Sequence, residues 1–245
     1  MDNLIKTPYH QTKMQEVLSF NNYQTAEPYP HIVIDDLFDS ETLNEIISVS
    51  KPQDDTTLEN HNDGTFVRNK KGTGLNTVLA PQVEFFLWQL SRPFFLNFLE
   101  KLTGISALIP DPYYFGGGFH WVDSGGKLAI HADYNKHFKF KLDRRLNLLI
   151  YLNKDWTEEN GGSLELWDSS MLQCVKKILP IFNRTVIFST TSLSFHGHPE
   201  PVACEANSSR KSIALYYFSN GRPEEKVVFP EEHSTLWQIR PGEGY

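Results

Sequence analysis

Residues 145–153 alternate with a period of two. Leu146, Leu148, Ile150 and Leu152 are all aliphatic, while the alternate positions are Arg145, Asn147, Leu149, Tyr151 and Asn153, four of which carry hydrogen-bonding side chains. Successive side chains of a strand point to opposite faces, so the pattern dictates a strand with one apolar and one selectively polar face. Residues 210–218 repeat it, with Ile213, Leu215 and Tyr217 opposed to Arg210, Ser212, Ala214 and Tyr216. Two such strands fit either a sheet whose polar face meets solvent or a sheet closed around a shared polar interior that is a site.

Both strands lie in a stretch, 108–220, of short β-prone runs separated by turn signals: YYFGGGFHW, KLAIHAD, RLNLLIYLN, GSLELWD, KKILPIF, RTVIFST, SFHGH and KSIALYYFS. Many short strands at close spacing predict a sandwich or barrel. Residues 1–106 read as a support region of helical character with one short strand, HIVIDDLF at 31–38. Asp39 or Ser40 is placed to cap a helix that ends before Pro52. Residues 54–75 are polar and rich in Gly, Asn and Asp, which predicts a long mobile loop near the mouth of a site. Residues 82–103 carry apolar residues at helical spacing, interrupted by Pro93 and stopped by Gly104. The polar tail, 221–245, holds Trp237, Arg240 and Tyr245, which predict that it packs back onto the body. The expected division is 1–106 support, 107–220 core and 221–245 tail, within a single domain.

Composition narrows the function. The 245 residues carry a net charge of −7 with no run of Lys or Arg, which argues against a nucleic-acid partner. The local basic spots at 136–141 and at Arg144-Arg145 read as a solvated loop. Aromatic residues reach 13 %, so the core is expected to be rich in Phe and Tyr. Cys174 and Cys204 are expected to be free thiols of a reducing compartment. No segment approaches the ~20 apolar residues of a membrane span, and the first residues lack the apolar stretch of a signal peptide. The expectation is a soluble cytoplasmic protein with no membrane partner.

The chemistry concentrates in a few side chains. His131 and Asp133 lie two apart, on one face of a strand, and SLSFHGHPEP supplies His196 and His198 near the end of another. Two histidines and a carboxylate from separate strands can form the facial triad of a non-haem iron centre, leaving positions open for a bidentate 2-oxo acid and dioxygen. Arg210 follows on the polar face of the next strand, where a guanidinium can take the distal carboxylate of a 2-oxo diacid through two parallel hydrogen bonds. Tyr151 and Ser212 can add donors, and Asn147 faces the same interior. Two other readings remain open on the residues alone: a non-catalytic jelly-roll binding module, and a zinc hydrolase, which leaves Arg210 and Tyr151 without a role.

On these residues the chain resembles the 2-oxoglutarate/Fe(II)-dependent dioxygenases of the prolyl-4-hydroxylase-like group. The resemblance covers about 108–220. It rests on HAD (131–133), RRLNLLIYLNKDW with ENGGSLELW (144–167), P-x-F-N-R-T-V-I-F (180–188), S-x-H-G-H (194–198) and R-K-S-I-A-L-Y-Y (210–217). It implies a mainly β fold, a double-stranded β-helix or jelly-roll core with flanking helices. It implies His131, Asp133 and His196 on Fe(II), with Gly197 favouring His196 over His198 as the ligand. It implies Arg210 and Tyr151 on the C5 carboxylate of 2-oxoglutarate, with ascorbate as a further cofactor; beside them Ser212 is read as a further donor and Asn147 as a contact of the co-substrate or the substrate. The implied reaction consumes dioxygen and hydroxylates a small-molecule or peptide substrate (a prolyl residue, a free amino acid or a small metabolite), releasing succinate and CO2. Asp133 implies hydroxylation and not halogenation. Two features depart from the group: the segment between His196 and Arg210 is longer, and His120 or Trp121 stands where a tyrosine usually precedes the first metal histidine.

Overall fold

The computed structural model describes residues 7–50, 57–205, 208–223 and 231–242. Its N-terminal part contributes α1 (Gln11–Ser19), β1 (His31–Asp35), α2 (Ser40–Val49), the hairpin strands β2 (Leu58–Asn60) and β3 (Val67–Thr73), α3 (Pro81–Gln89) and α4 (Pro93–Thr103). Asp39 caps α2, its Oδ2 accepting the Thr42 N–H at 3.0 Å. Pro93 opens α4 as its first residue, and Gly104 closes it at φ 71°. A hairpin replaces much of the loop expected over 54–75: residues 58–60 and 67–73 are strands, and β3 pairs with the sheet. Residues 54–56 and Pro52 lie outside the described residues.

The remainder is β: β4 (Ile109–Pro110), β5 (Gly118–Ala132), β6 (Asp143–Tyr151), β7 (Leu164–Trp167), β8 (Cys174–Ile178), β9 (Arg184–Ser189), β10 (His196–His198), β11 (Ser209–Ser219) and β12 (Leu236–Trp237). The strands run in the order β1-β9-β6-β11-β5-β10-β7-β8, with β3 and β12 also on β5. The pairings between these strands are antiparallel. This is the jelly-roll arrangement the resemblance implies. The two runs expected over 113–121 and 127–133 are one strand, β5. Its first half pairs with β11 and its end pairs with β10, His131 opposite His196. The turn between the halves falls at Gly125-Gly126. Gly125 sits at φ +77°, and a Cβ on Gly126 would lie 2.4 Å from Val122 Cγ1 and 2.7 Å from the Asp123 carbonyl oxygen. Only glycine permits that crossing, and the crossing curls the sheet so that its polar faces enclose one space.

The apolar faces look outward to the helices. Leu146, Leu148 and Ile150 of β6 and Ile213, Leu215 and Tyr217 of β11 pack with Leu43, Val83, Phe86, Phe95, Phe98 and Leu102 in one core. Burying each such side chain is worth about 1.5–3 kcal/mol, so the helices hold the site strands from behind. The tail packs back as expected: β12 lies on the end of β5, with Trp237 opposite His131. Tyr245 lies outside the described residues. No described helix is long and apolar enough to cross a membrane, and Cys174 and Cys204 are free.

Candidate active site

His131 ends β5 and His196 begins β10, and their pairing brings the two rings to a centroid separation of 4.5 Å. Asp133 follows His131 just past the strand. The His131 Nε2 lies 3.6 Å from Asp133 Oδ1, and the His196 Nε2 lies 3.5 Å from Asp133 Oδ2. Each Nδ1 faces a backbone carbonyl at 2.9 Å, that of Ala129 for His131 and that of Ser194 for His196. The carbonyls therefore fix the proton on Nδ1 and leave the Nε2 lone pairs aimed at Asp133. Burial drops the His196 pKa to about 4, so its imidazole is neutral near pH 7. Three ligand atoms within 4.8 Å of one another, from two imidazoles and a carboxylate, fit a divalent metal ion.

Asp133 is held by its own network. Asn147 Nδ2 donates to Asp133 Oδ2 at 2.8 Å, and Arg144 Nη2 lies 3.1 Å from the same oxygen. Arg144 also donates through Nε and Nη2 to Asn147 Oδ1, at 3.1 and 2.8 Å. Its guanidinium lies 3.6 Å from the Tyr216 ring centroid and 4.4 Å from that of Tyr134. Burial pushes the Asp133 carboxyl up, but opposite charge, that of Arg144 foremost, outweighs it and holds the group well below the usual carboxylate range. Asn147 and Arg144 both engage Oδ2, which leaves Oδ1 clear of them on the side of His131.

This network corrects the reading of Arg144-Arg145 as part of a solvated loop: Arg144 is 1 % exposed and Arg145 is 8 % exposed. It also corrects the alternation. The register of β6 against β11 shifts by one between Leu146 and Arg144. That bulge puts Arg144 on the face of Asn147, while Arg145 turns away to Ser219 Oγ at 2.7 Å.

The other end of the interior is built differently. Arg210, 4 % exposed, donates from Nε to the Gly162 carbonyl at 2.7 Å and approaches the Tyr151 hydroxyl at 3.5 Å. A Cβ on Gly162 would lie 2.8 Å from Arg210 Cδ, so glycine is what lets the guanidinium pass. No carboxylate of the described residues pairs with Arg210. A buried guanidinium without a counterion is costly, and an anion placed against it recovers that cost. Burial raises the Tyr151 pKa, so its hydroxyl stays protonated and able to donate. Ser212 pairs with Tyr151 on one side and with His120 on the other. His120 Nε2, His198 Nδ1 and His61 Nε2 are buried without a hydrogen-bond partner.

Both ends open into one cavity of about 330 Å³. It is lined by His131, Asp133, His196, Arg210, Tyr151, Ser212 and Asn147, so the structure brings together all the residues singled out from the sequence. Asn147 reaches it with both polar ends already engaged by Arg144 and Asp133. His198, set aside as a ligand in favour of His196, is a buried part of the wall. Sequence reasoning missed Arg144 and Lys70. Trp237 it marked only as a residue of the tail that packs back. The Trp237 ring lies 5.0 Å from the His131 ring and stacks on Phe66 at 4.8 Å and 7°.

Residues 117–218 match the 2OG-Fe(II) oxygenase superfamily. The prolyl 3-hydroxylase OGFOD1 of Mus musculus is 28 % identical over 109 residues, which are 39 % of this chain and 20 % of that protein. The chain thus spans about a fifth of the length of that relative. Among solved structures, a 2OG-Fe(II) oxygenase family oxidoreductase from Burkholderia pseudomallei aligns with TM-score 0.57 at 14 % identity, covering 88 % of this chain and 96 % of its own. A prolyl hydroxylase from Trichoplax adhaerens, in complex with a hypoxia inducible factor peptide, aligns with TM-score 0.57 at 18 % identity, covering 86 % and 94 %. HygX from Streptomyces hygroscopicus, with nickel, 2-oxoglutarate and hygromycin B bound, aligns with TM-score 0.54 at 10 % identity, covering 94 % and 97 %. These structures share the fold.

Proposed function

We propose, from the premise that residues 117–218 belong to the 2OG-Fe(II) oxygenase superfamily, that the chain is an Fe(II)- and 2-oxoglutarate-dependent dioxygenase that hydroxylates a C–H bond. The observation that carries the reading is the pairing, within one cavity, of the His131/Asp133/His196 cluster with a buried Arg210 that no described carboxylate neutralises. A zinc hydrolase needs the first and has no use for the second.

His131 and His196 would hold the metal through Nε2, and Asp133 through one carboxylate oxygen. Bound Fe(II) supplies the activation of dioxygen that couples oxidation of 2-oxoglutarate to succinate and CO2 with hydroxylation of the substrate. The chain's own share is placement. Arg210 takes the distal carboxylate, with the Tyr151 hydroxyl and Ser212 as further donors. Arg144 and Asn147 fix the carboxylate plane of Asp133 and keep it ionised. The Trp237–Phe66 stack roofs the metal end and keeps bulk water from it.

The substrate class we put first is a prolyl residue of a protein or peptide, because the relative found by sequence is a prolyl 3-hydroxylase. The test is succinate formation by the iron-loaded protein, screened against prolyl peptides, free amino acids and small metabolites. Succinate release that requires both iron and 2-oxoglutarate supports the reading. A protein that binds metal and releases no succinate with any pool sinks it.

A further inference from the structure

Resting on the co-substrate assignment above, we propose that Lys70 is a second cationic anchor for the 2-oxo dicarboxylate, so that co-substrate binding also fastens the β2–β3 hairpin over the cavity. In the sheet, Lys70 of β3 and Arg210 of β11 pair with the same residue of β5, Val122, from opposite sides. Residues directly opposite one another in antiparallel strands share a face, and Lys70, Val122 and Arg210 all line the cavity. Their backbones are thus two strand spacings apart, about 10 Å, a gap that two long side chains close around one small anion. The register of β3 shifts between Arg68 and Lys70, and Asn69 takes φ 49° there. Beyond this break Lys70 lines the interior, and its own N–H is tied to Asn62 Oδ1 at 3.1 Å across the hairpin.

The charge balance argues the same way. Lys70 and Arg210 repel each other, and among the described residues neither has a carboxylate within ion-pair distance. Burial first and Arg210 second lower the Lys70 pKa to about 8, and Asp133 opposes the shift from the metal end. Lys70 therefore senses both ends of the cavity. Two cations facing neutral, buried imidazoles in a small space are unfavourable until an anion arrives. The ligand that neutralises them is a dianion lying between the metal end and Arg210, which describes a 2-oxo dicarboxylate. Because β3 carries Lys70, the ion pair it forms ties the hairpin to the ligand.

The experiment is calorimetric binding of 2-oxoglutarate to the Mn(II)-loaded protein, compared across wild type, Lys70→Met, Lys70→Arg and Arg210→Met. Glutarate added to metal-free protein probes the carboxylate end alone. Lys70→Met should weaken 2-oxoglutarate by about tenfold or more, as expected for a lost charge-assisted contact, and Lys70→Arg should restore most of it. Amide exchange of β3 should slow on 2-oxoglutarate binding in wild type and not in Lys70→Met. Thermal melting checks that each variant is folded, and the arginine variant keeps the test decisive if methionine unfolds the hairpin. Lys70→Met binding 2-oxoglutarate as tightly as wild type, while Arg210→Met loses it, overturns the proposal and leaves the enzyme assignment standing. A Lys70→Met enzyme that raises only the substrate KM overturns the proposal in the same way. Wild-type protein that binds no 2-oxoglutarate overturns the enzyme assignment itself.

Discussion

The two ends of the cavity solve opposite electrostatic problems. At the metal end the charges are matched: Asp133 meets Arg144 and Asn147, and Arg144 is in turn sandwiched near Tyr216 and Tyr134. At the distal end Arg210 and Lys70 have no described carboxylate, and His120, His198 and His61 each keep a nitrogen without a partner. The first arrangement is complete as protein and presents lone pairs, which suits a cation. The second is unbalanced as protein, and the proposed anionic co-substrate would offset its two cations. Polar groups left unmatched in a buried site identify the ligand, because burying them otherwise only costs stability.

The largest expected effect breaks the metal end. His196→Ala should reduce bound iron from one per chain to near zero and abolish succinate formation, while His198→Ala keeps the iron. Metal analysis of the two purified variants decides it, and loss of metal from the His198 variant alone would reassign the ligand.

Breaking the distal end should cost almost as much. Arg210→Ala removes the partner of a desolvated carboxylate, a loss on the order of 2–5 kcal/mol. The apparent requirement for 2-oxoglutarate should rise about a hundredfold or more. Steady-state kinetics over a wide 2-oxoglutarate range reads this, and an unchanged requirement would remove Arg210 from the site.

A third variant sharpens the contrast. Arg144→Met leaves His131, Asp133 and His196, the proposed metal ligands, in place but strips Asp133 of its cation. Partners of metal ligands typically contribute about 10–100-fold in metal affinity. Competition against a chelator should show a drop of that order, with 2-oxoglutarate affinity for the metal-saturated protein changed much less. Equal losses of both would mean that the two ends are not separable.

The smallest effect concerns stability. The Lys70 pKa falls from 10.5 in the unfolded chain to about 8 in the fold. Between those values the unfolded chain binds more protons, so stability rises with pH. The charged lysine is a cost borne in full below pH 8 and lost as the pH climbs toward 10.5. Without 2-oxoglutarate, Lys70→Met should therefore melt slightly above wild type near neutral pH, and the gap should close by about pH 10. A gap that widens with pH would contradict the sign.

Much of the candidate site was legible because a strand's period is two. The apolar set of Leu146, Leu148 and Ile150 and the polar set of Asn147 and Tyr151 could be separated by alternation alone, and so could Arg210 and Ser212 from Ile213 and Leu215. His131 and Asp133 shared a face for the same reason. Proline and glycine marked the ends of α3 and α4, since one lacks an N–H and the other tolerates positive φ. The β2–β3 hairpin was illegible because its strands are polar: composition reads polarity as loop, whereas β3 is stabilised by its partner strand.

The sequence by itself determined the alternating faces, the start of α2, the break at Pro93 and the stop at Gly104, and the supply of two histidines, a carboxylate and an arginine to β-strand positions. Those are local properties, set by periodicity and by the backbone limits of proline and glycine. Tertiary structure alone decided which charges meet. A one-residue bulge in β6 turns Arg144 inward and Arg145 outward, a register break between β3 and β5 leaves Lys70 lining the same cavity as Arg210, and the tail brings Trp237 against His131. Register shifts reverse the face of every residue beyond them, and they arise from pairing between strands distant in sequence, so no local pattern encodes them.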